Sequence, residues 1–400
     1  MCYFSLVDRA SNPYSPGSGR KPPALIGRER QLGGFETVIG RTANHLSDRG
    51  IVLTGLRGVG KTVLLNEMQR LADQAKWLTV RIEARREPEG SNAVRRRLAR
   101  ELTAAARRQA PKSRTDRLRA ALGTISSFNA SIGATGVSLG VEREVGRADS
   151  GDVETDITEV VEDVSAAMAE SGLGFAMFID EMQDLDSQTL GAILAAQHTA
   201  NQRNWPFFVL GAGLPNLPRV LTESRSYAER LFDYHTIGRL TRIESAQVLE
   251  QPARLQGASF SSAALNVILT AADGYPYFLQ EFGQAAWDIS PGPRITGADA
   301  AAAVQFGLEH LDHGFFRARW DRATPTERRL LLALADDGGA SGVARAAQQA
   351  DLKTTSIGPY RAALIAKGLV YSPEHGKLAF TVPGMAEFVA RHRAELSDAS

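Results

Sequence analysis

The segment Gly55-Leu56-Arg57-Gly58-Val59-Gly60-Lys61-Thr62 constrains this chain more than any other, because it matches G-x-x-x-x-G-K-[ST] in full. Glycine tolerates backbone angles that other residues resist, so successive N–H groups can turn inward around phosphate oxygens. An apolar strand, Ile51-Val52-Leu53-Thr54, leads into the loop, and Val63 to Lys76 carries Leu64, Leu65, Met68 and Leu71 at helical spacing after it. The positive end of that helix points at the same place. A glycine turn that merely happens to carry a lysine would lack this context on both sides. Gly55, Arg57, Gly58, Val59, Gly60, Lys61, Thr62 and Val63 are therefore the expected nucleotide-binding residues, for ATP ahead of GTP. Lys61 is expected to reach the β- and γ-phosphates, and the Thr62 hydroxyl to bind Mg²⁺.

A strand at Trp77 to Ile82 follows the helix, and strand–loop–helix–strand is the βαβ start of a parallel sheet. The expected fold class is α/β: a P-loop NTPase sheet with an all-helical lid and a C-terminal winged helix-turn-helix domain. A buried strand, Phe175 to Ile179, ends in Asp180-Glu181, the carboxylates such a site needs at a neighbouring strand tip. Asp180 is expected to hold Mg²⁺ through water, and Glu181 to polarise the attacking water. The chain divides into a Ser/Pro/Gly-rich flexible leader (1–24), a nucleotide-binding core (25–240), a helical lid (241–318) and a C-terminal domain (319–400). A charged insertion, 85–170, interrupts the core. Arg85 to Arg119 holds 12 basic and 4 acidic residues, Glu142 to Glu170 holds 10 acidic and 2 basic, and Ile125 to Val141 between them reads as a hairpin. Two such helices can pair or face solvent, with nucleic-acid contact as the alternative.

Composition narrows the classes. With 46 basic and 45 acidic residues, a net charge of +1 supplies no global attraction to nucleic acid or membrane. One cysteine, Cys2, excludes disulfides within the chain. The first residues lack a secretion signal, and no run approaches the roughly 20 apolar residues of a bilayer span, so a soluble cytoplasmic protein is expected. His310 and His313 show no metal-ligand spacing and read as flanking a helix end.

With Ile26-Gly27-Arg28-Glu29, the phosphate loop, Phe178-Ile179-Asp180-Glu181, Glu229-Arg230-Leu231-Phe232 and Gly274-Tyr275-Pro276, the chain resembles the AAA+ ATPases of the origin-recognition and archaeal-ATPase type, related to STAND signalling ATPases. The resemblance covers about residues 25 to 390. It implies that Ile26 and Gly27 lie beside the adenine, and that Arg230, with Arg225 as alternate, is an arginine finger offered to a neighbouring copy in a homo-oligomer. An ion-pair arginine is the competing reading of Arg230. Gly274-x-Pro276 is similar to the STAND arrangement, in which proline packs near the nucleotide. Two departures stand out. The strand Pro206 to Leu210 runs into Gly211-Ala212-Gly213 instead of ending in a polar sensor, leaving Asn216 as the nearest amide, and Phe278 to Trp287 lacks a sensing arginine. Both point to slow hydrolysis, a switch more than a motor.

Thr324-Pro325-Thr326-Glu327 is a helix start: N-cap, proline at the first helical position, glutamate three residues after the cap. Ser341 can cap a second helix to about Ala350, and a third runs from about Thr355 to Lys367, closed by Gly368. Leu369 to Tyr371 and Lys377 to Val382 form a two-stranded wing. In a winged helix the third helix enters the DNA major groove, making Lys353, Thr354, Thr355, Ser356, Tyr360, Arg361 and, on the wing, Lys377 candidate contacts. Residues 324–400 carry 9 basic and 8 acidic residues, so the domain docks either double-stranded DNA or a protein partner. The expected function is an ATP-dependent switch, between core and lid, that positions this domain. The alternative is an oligomerising signalling or defence scaffold.

Overall fold

In the computed structural model, which describes residues 8–17, 19–85, 91–109, 116–131 and 144–394, the chain falls into two units. The sheet unit comprises Glu29–Thr54 and Lys61–Thr236. Its elements are α1 (Glu29–Ala43), β1 (Gly50–Thr54), α2 (Lys61–Gln74), β2 (Leu78–Glu83), α3 (Ser91–Gln109), α4 (Asp116–Ser131), α5 (Val153–Ala169), β3 (Phe175–Asp180), α6 (Ser187–Arg203), β4 (Phe207–Gly213), α7 (Leu217–Ser224) and β5 (Phe232–Thr236). The strands form one parallel sheet in the order β2-β3-β4-β1-β5. β1, β3 and β4 are buried at every residue, as inner strands covered on both faces must be. Edge strand β5 has only its first residue buried. Because β4 separates β1 from β3, with Thr54 beside Gly213 and Ile179 beside Gly211, three strand ends come up together at the carboxyl edge. In open α/β sheets that edge is where ligands bind.

The described part of the charged segment 85–170 consists of α3, α4 and α5, with turns and bends over 144–152 before α5. α3, α4 and α5 share an apolar face through Leu98, Leu102, Ile125, Phe128, Ile157 and Val160, and this face belongs to the core of the sheet. The hairpin expected at Ile125 to Val141 is overturned over 125–131, where α4 continues; residues 132–141 lie outside the described residues. Tertiary burial of Ile125 and Phe128 outweighs the local Gly/Ser signal there. The charges pair on the outside: Arg147 binds Glu159, Glu162 and Asp163 at 3.4, 3.1 and 2.6 Å, and Arg117 binds Glu170 at 3.2 Å.

The other unit gathers the chain up to Arg28, the loop Gly55–Gly60 and everything from Ile237 onward. It contains α8 (Arg242–Leu255), β6 (Ser259–Phe260), α9 (Ser262–Ala272), α10 (Pro276–Ile289), β7 (Arg294–Ile295) and α11 (Gly297–His310), then α12 (Arg317–Trp320), α13 (Pro325–Asp336), β8 (Ala340–Gly342), α14 (Val343–Gln349), α15 (Ile357–Ala366), β9 (Val370–Tyr371), β10 (Lys377–Phe380) and α16 (Met385–Arg391). A π-helical turn, Leu311–Phe316, joins α11 to α12. Residues expected to form a separate lid and C-terminal domain share one apolar core, from Leu240 to Val389, in which Phe316 stacks on Phe388. The capping box at Thr324 and Glu327 is present. Ser341 caps no helix: it lies in β8, donates its hydroxyl to Asp337, and α14 starts after Gly342. β8 turns the expected two-stranded wing into a three-stranded sheet, β8-β10-β9. The third helix starts two residues late, at Ile357, behind a short turn Thr354–Ser356, and Gly368 closes it at φ +65°.

The leader is not loose over its described residues. Tyr14 is 2 % exposed, packs its ring where a Cβ on Gly283 would stand, and donates its hydroxyl to the carbonyl of Leu249. Asn12 donates to the Gln284 carbonyl and the Asp288 carboxylate, at 3.1 and 2.8 Å, and Trp287 Nε1 donates to the Asp8 carbonyl at 3.1 Å. Composition misleads here because one aromatic side chain supplies the burial that Ser, Pro and Gly do not. Tyr14→Ala should lower stability by about 3–5 kcal/mol, the cost of deleting a buried aromatic ring. A urea midpoint unchanged from the parent protein would show that the leader does not anchor the fold.

Candidate nucleotide site

In the sheet unit, α2 begins at Lys61, whose side chain is 6 % exposed. Its neighbour Thr62 donates its hydroxyl to the Asp180 carboxylate. Asp180 is equally buried, and burial holds its carboxyl above the usual carboxylate range, against the pull of Thr62 and Arg81. The Arg81 guanidinium lies 3.7 Å from Asp180 Oδ2, and Glu181 N donates to Oδ1 at 3.0 Å. Glu181 itself adopts φ +50°, in the left-handed region, at a cost of about 1–3 kcal/mol for a non-glycine residue. Such strain persists only where surrounding contacts impose it. Gln183 Nε2 donates to Glu181 Oε2 at 2.7 Å, while Gln183 Oε1 accepts from Leu214 N at 3.1 Å.

The same contact explains the missing polar residue at the end of β4. The strand continues through Gly211 and Gly213, and a Cβ there would stand 2.5 Å from Met182 Sδ and 2.2 Å from Gln183 Oε1 respectively. Side chains from the turn after β3 occupy the space beside both glycines. Gln183 is thus the polar group at that strand end, and the sequence reading missed it; its only signal was a glutamine two residues beyond the glutamate. Asn216 stands at the start of α7 without capping it, and its Oδ1 is buried with no hydrogen-bond partner. A hydroxyl and a buried carboxylate side by side form a hard-oxygen donor set that suits Mg²⁺, which keeps waters and phosphate oxygens for its remaining positions. The site fits that ion.

In the other unit, Gly55–Gly60 is braced by residues the sequence reading did not single out. Arg28, 7 % exposed, donates from Nη2 to the carbonyls of Val59 and Gly238 at 3.1 and 2.9 Å, and from Nη1 to Gly27 O at 2.8 Å. Gly58 and Gly60 take φ of +86° and +93°, as a phosphate-cradling loop requires. A Cβ on Gly55 would stand 2.2 Å from the Ile237 carbonyl. Gly27 packs where a Cβ would meet Glu244 and Leu240, and Ile26 packs against the unit's apolar core. Gly274, at φ +74°, accepts a hydrogen bond from Leu240 N, and Pro276 opens α10. The next residue, Tyr277, lies against Gly58. Arg57 N–H donates to the Thr381 carbonyl at 3.0 Å, and its guanidinium to the Gly368 carbonyl at 3.3 Å.

The remaining candidates separate by their partners. Arg230 is exposed at the end of a short turn before β5, with no carboxylate paired to it among the described residues. Arg225, the alternate, is ion-paired to Glu154. Lys353 and Thr355 are exposed before α15. Arg361, half-buried, donates to the Ser372 hydroxyl at 3.0 Å, and Lys377 pairs with Glu374 at 2.9 Å.

A parallel sheet in this strand order, with a glycine-rich loop and a lysine-led helix after β1 and an acidic pair at the end of β3, defines a P-loop nucleoside triphosphatase. Residues 24–210 match the AAA ATPase domain family, so this part of the chain is an AAA+ ATPase domain and the protein an ATP-binding ATPase. Residues 313–389 match a Domain of unknown function (DUF8462). No curated protein matches the chain. Among solved structures, the Walker-type ATPase PABY2304 of Pyrococcus abyssi is similar at a TM-score of 0.56 and 14% identity, covering 92% of this chain and 97% of that one. That likeness is one of fold. The Aeropyrum pernix ORC1 protein in complex with DNA matches at 0.46 and 14% identity, over 98% of both chains. The Thermotoga maritima RuvB Holliday junction branch migration motor matches at 0.45 and 14% identity, over 92% of this chain and 98% of that one. Among the described residues no helix is long and apolar enough to cross a membrane.

Proposed function

We propose that this ATPase is a nucleotide-dependent switch whose readout is its C-terminal domain. The observation that carries the reading is Arg57: the third residue of the phosphate loop is hydrogen-bonded through both backbone and side chain to Thr381 and Gly368, which border the C-terminal strands. Any shift of the loop on taking up phosphate is therefore felt there directly. Lys61 and the loop amides would hold ATP, Ile26 and Gly27 the base, and Gly274 and Pro276 the lid side of the pocket. Thr62 and Asp180 would hold Mg²⁺, which when bound neutralises charge on the transferring phosphoryl group. Glu181, fixed by Gln183, would take the proton of the attacking water or orient it. Turnover should be slow, below about 1 s⁻¹ and so at the bottom of the usual enzyme range, because the end of β4 offers an anchored glutamine instead of a free polar group. Arg230, exposed before β5, is the residue through which a second copy would complete the site.

The C-terminal domain, with α13, α14 and α15 and the three-stranded sheet β8-β10-β9, is read as a winged helix. Lys353 and Thr355 are open to duplex DNA, whereas Arg361 and Lys377 already have partners within the domain. That second observation favours the alternative, a scaffold that assembles on ATP and docks protein. Light-scattering mass measurement with and without ATP and Mg²⁺, each with and without duplex DNA at low salt, separates the two. ATP-dependent association with DNA that weakens on Arg361→Ala supports DNA docking, and ATP-dependent self-assembly indifferent to DNA supports the scaffold. A mass that ignores ATP in every arm sinks the switch. The cytoplasm is the compartment proposed, since ATP and Mg²⁺ are both abundant there.

A further inference from the structure

Edge strand β2 carries a cation beside the strand that carries the buried carboxylate. It reads Leu78-Thr79-Val80-Arg81-Ile82-Glu83 and lies parallel to β3, with Arg81 beside Phe178 and Glu83 beside Asp180. The Arg81 guanidinium reaches Asp180 Oδ2 at 3.7 Å, and its Nη1 donates to Gln69 Oε1 at 3.3 Å. Gln69 stands on α2, the helix that brings Thr62 to the same carboxylate. The two charged side chains are 27 % and 8 % exposed, so water screens their attraction only in part. Burial pulls the Arg81 guanidinium below its ordinary value, against Asp180 and then Glu83, and it stays a cation at neutral pH. Glu83 is itself engaged, by Arg85 at 3.2 Å through its carboxylate and by Arg97 at 2.6 Å through its carbonyl.

Asp180 thus has two claimants. A Mg²⁺ held by Thr62 and Asp180 would stand close to a guanidinium that keeps its charge, and like charges at short range in a partly buried place repel strongly. Mg²⁺ also gives up its waters reluctantly, so a cation already on its carboxylate lowers its affinity. We propose that Arg81 is the resident counter-ion of Asp180, and that Mg²⁺ must push it aside to load. The guanidinium neutralises the buried carboxylate until the ion arrives. Arg81 thereby sets how much Mg²⁺ the nucleotide site needs. It is a positioning residue that acts through Asp180, outside the phosphate loop and the lid. This rests on the Mg²⁺ reading above and adds the group that tunes it.

The test is the affinity of the full chain for a non-hydrolysable ATP analogue, by isothermal titration in EDTA and in saturating Mg²⁺. Arg81→Gln keeps a polar group to meet Gln69 and removes the charge. It should enlarge the gain in affinity that Mg²⁺ confers by on the order of tenfold, through tighter binding in the Mg²⁺ arm. Arg81→Lys, which keeps the charge, should stay within about twofold of the parent. An unchanged or smaller gain in Arg81→Gln overturns the proposal. So does a gain enlarged only because binding in EDTA weakens, which would place Arg81 on the nucleotide. If the parent gains nothing from Mg²⁺, the metal reading fails and the displacement falls with it, a result distinct from equal gains in parent and variant. Thermal melts without nucleotide or metal read the ion pair itself and check folding. Arg81→Gln should lower the midpoint by a few degrees in the parent, and much less in an Asp180→Asn background, where no charge is left to neutralise. Equal losses in both backgrounds overturn the counter-ion role.

Discussion

Lys61→Ala should reduce ATP affinity by at least about a hundredfold, since a buried ammonium on two phosphates makes charge-assisted bonds that water replaces poorly. The side chain is 6 % exposed at the first turn of α2, so its removal takes away a positive charge that the helix amides cannot supply alone. The fold should survive, because removing a buried charge also removes the cost of keeping that charge out of water. Thermal melting with and without ATP reads both effects: an unchanged midpoint without nucleotide, and loss of the ATP-dependent rise. A variant that binds ATP as well as the parent would remove the nucleotide site, and the switch with it.

Glu181→Gln should leave ATP binding intact and cut phosphate release by about 10²–10⁴-fold, the range of one well-placed general base. Glutamine keeps the size of the side chain and an oxygen to accept the 2.7 Å bond from Gln183, so geometry is preserved and only basicity is lost. Gln183→Leu should also slow turnover, by a smaller factor, because it frees Glu181 without altering its chemistry. The pair distinguishes base from positioning residue. If Glu181→Gln hydrolyses ATP at the parental rate, the proton goes elsewhere and Gln183 has nothing to position.

Much of the candidate site could be read from residue order alone. The loop, the helix after it and Asp180-Glu181 are local features: glycines at fixed offsets, a lysine at a helix start, an acidic pair closing an apolar run. Their chemistry depends on backbone angles and on strand ends that parallel sheets always align. The capping box at Thr324 was legible for the same reason, since its two hydrogen bonds span four residues. Gln183 was not, because its meaning comes from Leu214, 31 residues away, and from glycines that leave room for it. Arg28 was quoted for its neighbours, yet its work is to hold the carbonyls of Val59 and Gly238. Local composition erred where one long-range contact outweighed it, at Tyr14 in the leader and at Ile125 and Phe128 in α4.

Residue order was therefore sufficient for the class of protein: a P-loop ATPase with an acidic pair at the end of a buried strand, each feature defined by neighbours within a few positions. Tertiary structure decided what surrounds that chemistry. It tied Arg57 to the carbonyls of Thr381 and Gly368, which border the C-terminal strands, and set Gln183 against Gly213 at the end of β4. The physical reason is range. Phosphate cradling needs only consecutive amides and one cation, whereas coupling needs carbonyls that are hundreds of residues away in the chain and neighbours only once the apolar core has formed.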